Sequence, residues 1–452
     1  MITLLKSKPG LLLLLLSGAS SLLAQHPVIE RYVQEGLNNN LLLKQEQVAL
    51  EKNKASVEAA RRLSYPTIAL QGSYTLATGG RAIDLPIGDL LNPVYATLNE
   101  MTQTNQFPML ENVREQLSPN NFADVKVRAS MPVINPDIRI NRNAEQEKAS
   151  IQELEIGRAR RDLTYQIKAA YFNYLQAGEA VKIYESALEL LKENLRVNQS
   201  LLKNDKINKA PVLRIEAEIS KVNAEIAQAR TKQLNAASYF NTLLHRPMEN
   251  EIELAPLPSP DSLLLAHTAL QLPDVQRREE IQQLDKALQL NQLSMTVADN
   301  FNKPRLNAFV DLGAQGFLAN LDNRAPYAIA GLQLEWTLWN GNRNRWQERQ
   351  VALESQQLNL RRQDVVSQFE LKQKVAVEDV RAAYESLKAT NQELASATEY
   401  FRVVDRSYRE GMASYIEYLD ARTQLTNARL QKNLKAFNLW GQIAAMEREL
   451  IY

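Results

Sequence analysis

The stretch from Asn342 to Glu410 contains neither Gly nor Pro, and this most limits what the chain can fold into. A single helix over that span would reach about 100 Å at 1.5 Å per residue, far beyond any globular core. Its apolar positions recur in a 4-3 rhythm through Ala376, Val380, Ala383, Leu387, Leu394, Ala397, Phe401, Val404 and Tyr408, with Thr390 in the one polar slot. A sustained period of 3.5 residues predicts a supercoiled seam against other helices. The chain is therefore expected to use very long helical hairpins.

A second seam has the same spacing: Leu163, Ile167, Ala170, Tyr174, Ala177, Val181, Tyr184, Leu188, Leu191, Leu195, Asn198 and Leu202. Adding 206 to Ala170–Leu202 gives Ala376–Tyr408 position for position, and Leu213 maps onto Leu419 by the same offset. Asn135 and Asn340, each closing an alternating run, are 205 apart. Shared register, corner and turn make this an internal duplication.

Each half opens with a helix, Val28–Leu63 in the first and Asp274–Asn302 in the second, and then the period changes to two. Alternating runs are expected at 66–77, 123–134, 304–316 and 327–339, the length of tilted membrane strands. Their polar sides carry Gln71, Lys126, Arg128, Asn307, Asp311, Gln333 and Glu335, predicted to line a wet lumen. Tyr65, Tyr74, Tyr327, Trp336 and Trp339 suit interfacial aromatic bands, whereas Phe309 and Ile329 fall on the wrong face for this scheme. The segment 79–121 is too apolar for a disordered loop, and part of it should fold back as a cap. Long helices at 137–202 and 342–410 with return helices at 211–244 and 412–450 complete the halves, 25–245 and 274–452, joined by a Pro-rich connector at 246–273. Four strands cannot close a membrane barrel, and open edges are not tolerated in lipid, so the chain must oligomerise.

At the start, Lys6 and Lys8 precede an apolar run to Leu16 and then small residues, which reads as a secretory signal over 1–24. The 53 basic and 52 acidic residues balance, so bulk charge selects no nucleic acid. No Cys occurs, which removes disulfides, thiolate metal sites, a cysteine nucleophile and an acylated N-terminal cysteine from consideration. His26, His245 and His267 are scattered, without an HExxH pair or a Gly-rich phosphate loop; neither an enzyme nor a cofactor is expected.

The paired corners Met131-Pro132-Val133-Ile134-Asn135-Pro136 and Trp336-Thr337-Leu338-Trp339-Asn340-Gly341, with the turn from Tyr408 to Ala421, resemble the TolC-like outer membrane efflux proteins. The resemblance covers nearly the whole chain after the signal. It implies a mainly α fold with membrane β: a trimeric 12-stranded β-barrel continued by a long α-helical periplasmic barrel. The implied activity is that of a passive exit duct in the outer membrane, working with a periplasmic adaptor and an inner-membrane pump and exporting small molecules. A polypeptide exit duct of a type I secretion system shares the fold, and a soluble periplasmic coiled-coil adaptor is the rival from another class.

The resemblance also assigns residues. Glu417 and Asp420, three apart on one helical face, would ring the periplasmic entrance, with a plain solvated face as the simpler reading. Tyr408 matches a tyrosine that helps hold the entrance closed. The arginine expected at 413 is Ala413, and an acidic partner expected in the first turn falls on Pro211, so closure must be built differently. Lys203, Asp205, Arg409 and Gly411 in the two turns would meet the adaptor. Gly411 suits a left-handed turn position, for which Asp205 is an acceptable substitute.

Overall fold

The computed structural model describes residues 27–118, 120–255, 257, 272–317 and 326–450. The expected signal segment lies outside these, as does most of the connector. Two compact units emerge, one drawn from Met1–Lys54, Gln146–Gln292 and Leu353–Tyr452, the other from Ala55–Glu145 and Leu293–Ala352.

The first unit is helical. The expected opening helix is two: α1 (Pro27–Asn39) and α2 (Leu41–Arg62). The break falls at Asn40, whose Oδ1 accepts from the Leu42 and Leu43 amides at 2.9 and 3.2 Å, an N-cap that restarts the helix. α4 (Pro136–Lys203) and α5 (Ala210–Leu243) follow, then α6 (Glu279–Asp299), α7 (Arg343–Arg409) and α8 (Tyr415–Glu449). The last starts later than the sequence suggests, because Ser414 caps it.

The seams are covered as their period requires. No seam residue of α4 or α7 is exposed, and polar Thr390 satisfies itself by donating to Ser386 O at 2.8 Å. Around the seams lies an apolar cluster that includes Tyr32, Ile167, Tyr171, Phe240, Leu439 and Trp440. Two tyrosines tether the segment beside it: Tyr171 Oη donates to Glu253 O and accepts from the Ala255 amide, while Tyr32 Oη accepts from the Glu253 amide. Arg278, almost fully buried, lies 3.8 Å over the Phe369 ring and donates to the carbonyl and side chain of Glu449 at the end of α8.

The second unit holds an antiparallel sheet of order β1-β4-β5-β6, comprising β1 (Thr67–Thr75), β4 (Phe122–Ile134), β5 (Arg305–Phe317) and β6 (Pro326–Glu335). Its register pairs Leu70 with Val127, Val127 with Leu312, and Leu312 with Ala328, which aligns one apolar face across all four strands. That face is open, with Ile68 and Leu70 about three-quarters exposed (76 % and 75 %). β6 stops at Glu335, so Trp336 and Trp339 lie past the strand rather than at its end; Trp336 Nε1 instead donates to Asn302 O at 2.7 Å. The segment between β1 and β4 is ordered, with β2 (Ala82–Leu85) pairing with β3 (Val113–Gln116) around α3 (Ile87–Thr102).

Candidate functional site

The two interhelical turns of the first unit are built alike. Asp205 has φ of 52° and Gly411 has φ of 75°. The Asp205 amide donates to Leu202 O and the Lys206 amide to Leu201 O; in the repeat, Gly411 donates to Tyr408 O and Met412 to Ser407 O. This left-handed closure satisfies the last carbonyls of each long helix. Lys203, Asp205, Arg409 and Gly411 are all exposed, and Arg409 Nε pairs with Asp405 at 3.0 Å.

Beside the turns lies a polar cluster. Tyr408 Oη donates to Asn198 Oδ1 at 3.0 Å, tying the end of α7 to the end of α4. Asn198, only 1 % exposed, donates in turn to the carbonyl and side-chain oxygens of Asn194. The Tyr408 and Tyr418 rings lie 4.9 Å apart, with Tyr415 at 6.2 Å from Tyr408. Arg422 on α8 is buried and pairs with Glu218 on α5 at 3.5 Å. Its Nε and Nη1, and the Tyr415 hydroxyl, find no hydrogen-bond partner among the described residues. Burial pushes the Tyr415 hydroxyl up to about 12 and raises those of Tyr408 and Tyr418. It pulls the Arg422 guanidinium down, against the opposing pull of Glu218. Buried donors left unpaired penalise this arrangement, so the cluster is packed but not fully satisfied.

Sequence reasoning missed Asn194, Glu218, Tyr415, Tyr418 and Arg422. The available signal was Asn198, a polar residue in an otherwise apolar seam, the device that fixes register in supercoiled helices.

Glu417 closes a capping box: its Oε2 accepts from the Ser414 amide at 2.7 Å, and its own amide donates to Ser414 Oγ at 3.3 Å. That backbone hydrogen bond holds its carboxyl below the usual range. Asp420 accepts from Gln424 Nε2 at 2.7 Å. Both carboxylates remain exposed on the first turns of α8.

In the sheet, the face opposite the apolar one gathers the expected polar residues. Gln71 sits opposite Lys126, Arg128 opposite Asp311, and Asn307 opposite Gln333, with Glu335 across from Arg305. Arg128 holds Asp311 in a two-pronged pair at 2.7 and 2.6 Å. Lys126 lies 3.5 Å from Asp124 and 3.7 Å from Asp311. Tyr327 belongs to this polar face as well, donating to Asp124 Oδ1 at 2.6 Å, which corrects its reading as an interfacial aromatic. Tyr74 is on the apolar face and half exposed, with its hydroxyl turned to Asn121 at 2.7 Å; Tyr65 precedes β1, under the Arg62 guanidinium. Phe309 is explained by its neighbour: a Cβ on Gly331 would come within 2.8 Å of the Phe309 ring. The ring lies over that glycine, and the Arg128 guanidinium sits 4.9 Å from its centroid.

Comparison with known proteins places this geometry. Residues 275–439 match the outer membrane efflux protein family. A probable outer membrane lipoprotein from Salmonella typhimurium, SilC, is 23% identical over 417 residues, spanning 88% of this chain and 80% of the relative. The outer-membrane channel OprN superposes with a TM-score of 0.71 at 17% identity, over 94% of this chain and 89% of its own. The outer membrane protein VceC of Vibrio cholerae gives 0.70 at 15% identity, over 93% and 95%.

Proposed function

We propose that this TolC-like outer membrane efflux protein works as a trimer, the exit duct of a tripartite pump that carries small molecules from the periplasm to the exterior. The observation that carries the reading is the four-stranded sheet with β1 and β6 as unpaired edges among the described residues and an open apolar face. In hydrocarbon each unpaired amide or carbonyl costs several kcal/mol, so β6 of one copy must pair with β1 of the next. Two copies would make eight strands, whose interior side chains fill; three make twelve and leave a water-filled lumen. The polar face bearing Lys126, Arg128 and Asp311 then lines the duct.

The helical unit extends into the periplasm, with the turns at Lys203–Asp205 and Arg409–Gly411 meeting the adaptor of an inner-membrane pump. The Tyr408–Asn198 hydrogen bond and the Arg422–Glu218 pair close the entrance, replacing the arginine absent at Ala413. A soluble periplasmic adaptor would have no use for an exposed apolar face across four strands.

The test is native mass determination of detergent-extracted protein together with planar-bilayer recording. A three-copy mass and ion conduction support the duct; a monomer that washes from membranes in carbonate overturns it. Cargo is tested by accumulation of a lipophilic dye in cells lacking the protein. Unchanged accumulation alongside lost secretion of a polypeptide would favour the type I exit duct.

A further inference from the structure

The segment between β1 and β4 is organised but has almost no interior of its own. Three asparagines pin α3 to the segment that follows it, 107–112. Asn92 exchanges two hydrogen bonds with the backbone of Leu110 (2.9 and 2.7 Å), and Asn99 does the same with Phe107 (2.7 and 3.1 Å). Asn112 accepts from the Asp89 amide and donates to the Asp89 carboxylate. Gly88 is needed for this approach, because a Cβ there would sit 2.4 Å from Leu110 O. The backbone is thus fixed, yet Gly88 is the one buried residue among those described from 79 to 121.

Apolar side chains face outward instead. Leu90, Val94 and Met101 recur at helical spacing on one side of α3 and are 69 %, 51 % and 77 % exposed. Leu85, Met109, Val113 and Leu117 add to the uncovered area. A body this small cannot hold its fold on so little burial, so something must cover the stripe.

We propose that the covering surface is a second copy of this chain: α3 helices of neighbouring protomers pack through Leu90, Val94 and Met101. The inference rests on the trimeric reading. The insert leaves the sheet from β1, the edge that must pair with the next copy, and returns in β4, so symmetry sets every copy of α3 at the same height around one axis. Under threefold rotation the same face of neighbouring copies meets only near the axis, so the stripe is placed pointing inward over the lumen and not along the β1–β6 seam. Charge disfavours the other apolar occupant, a lipid surface with anionic headgroups. The insert carries five carboxylates (Asp84, Asp89, Glu100, Glu111 and Glu115) against two guanidinia (Arg81 and Arg114), the opposite of a polybasic membrane-binding segment.

The chain contains no Cys, so an introduced thiol is a unique reporter. Val94→Cys and Met101→Cys are compared with Ala96→Cys, which is also exposed but lies on the far side of α3. Purified protein is oxidised with copper phenanthroline and resolved on a non-reducing gel, with native mass recorded in parallel. Disulfides need Cα atoms within about 7 Å, so only packed helices cross-link. Covalent dimers from positions 94 and 101, one disulfide per trimer with the third thiol left free, and none from 96 are expected. No cross-link at 94 or 101 in an assembly of three-copy mass, or equal cross-linking at 96, overturns the proposal while leaving the trimer standing. A monomeric mass overturns both. Shielding of Val94→Cys from a water-soluble maleimide only after lipopolysaccharide is added, without cross-linking, would assign the stripe to lipid and also overturn it.

Discussion

Removing one hydroxyl should loosen the entrance measurably. In Tyr408→Phe the ring keeps its packing on Tyr418, but Asn198 Oδ1 loses the donor held at 3.0 Å in a site that is 1 % exposed. A buried acceptor left unpaired costs about 1–3 kcal/mol, against about 1 kcal/mol for the net worth of the bond itself. Water that reaches the half-buried Tyr408 side favours the lower part of that range. At 1.4 kcal/mol per factor of ten, each protomer's closed state should weaken by roughly 5- to 100-fold relative to the open one. Single-channel recording reads this as a rise in open probability without a change in fully open conductance. The control is a cycle with Asn198→Leu. Deleting both polar partners leaves no orphan at this bond, so the double variant should close better than either single one, with a coupling of about 1 kcal/mol or more. Additive leakage in the double variant, or no leakage in Tyr408→Phe, would refute the assignment of this bond to closure.

Other consequences can be checked separately. Glu417→Ala with Asp420→Ala should relieve block of single-channel current by divalent cations; Glu417→Ala alone should also fray the start of α8, since it opens the capping box with Ser414. Charge reversal at Lys203 or Arg409 should weaken co-purification with the adaptor, and full retention would argue against that surface. Gly36→Ala places a Cβ 2.3 Å from Ile167 Cδ1 and should cost about 1–3 kcal/mol, read as a lower melting temperature and recovered by adding Ile167→Val, which removes that atom. Alkaline stability tests the half-buried Tyr415, whose hydroxyl is raised from about 10 in the unfolded chain to about 12. The folded state holds the proton more tightly, so this contribution is intact below pH 10 and is lost as pH rises through 10 to 12. Tyr415→Phe should remove that part of the alkaline transition while leaving the neutral-pH fold in place.

What could be read from the sequence was whatever depends on local period. The seams follow from side chains 3.5 residues apart, and the 206-residue echo carried the turn geometry with it, so Asp205 and Gly411 share positive φ and matching hydrogen bonds despite their chemistry. The parts that were not legible depend on partners distant in the chain. Nothing around Arg422 announces Glu218, 204 residues away. The asparagine clamps of α3 join residues up to 23 apart, so a propensity reading sees only a Pro-rich loop. Trp336 looked like the end of a strand because alternation continues through it; the ladder ends at Glu335, and the Trp336 indole N–H donates to Asn302 O. Tyr327 was misread for a different reason: its parity with Gln333 and Glu335 already put it on the polar side, where its hydroxyl donates to Asp124, but it was read as an interfacial aromatic.

The charges of the sheet sharpen the view of where selectivity resides. Lys126 and Arg128, read from the sequence as lining a wet lumen, are both engaged with carboxylates, Arg128 with Asp311 and Lys126 with Asp311 and Asp124. Arg305 is engaged as well, with Asp137 at 2.7 Å. A ring of uncompensated charge would select ions by sign, whereas a self-compensated face presents polarity without net field. In a trimeric duct the barrel would then pass cations, anions and neutral compounds on similar terms. Uncompensated charge sits instead on Glu417 and Asp420 of the helical unit, which accept from the Ser414 amide and the Gln424 amide group rather than from cations. Under the proposed duct, discrimination by charge would fall to Glu417 and Asp420, and neutralising Asp311 should disturb the fold of the sheet more than the ion preference of the channel.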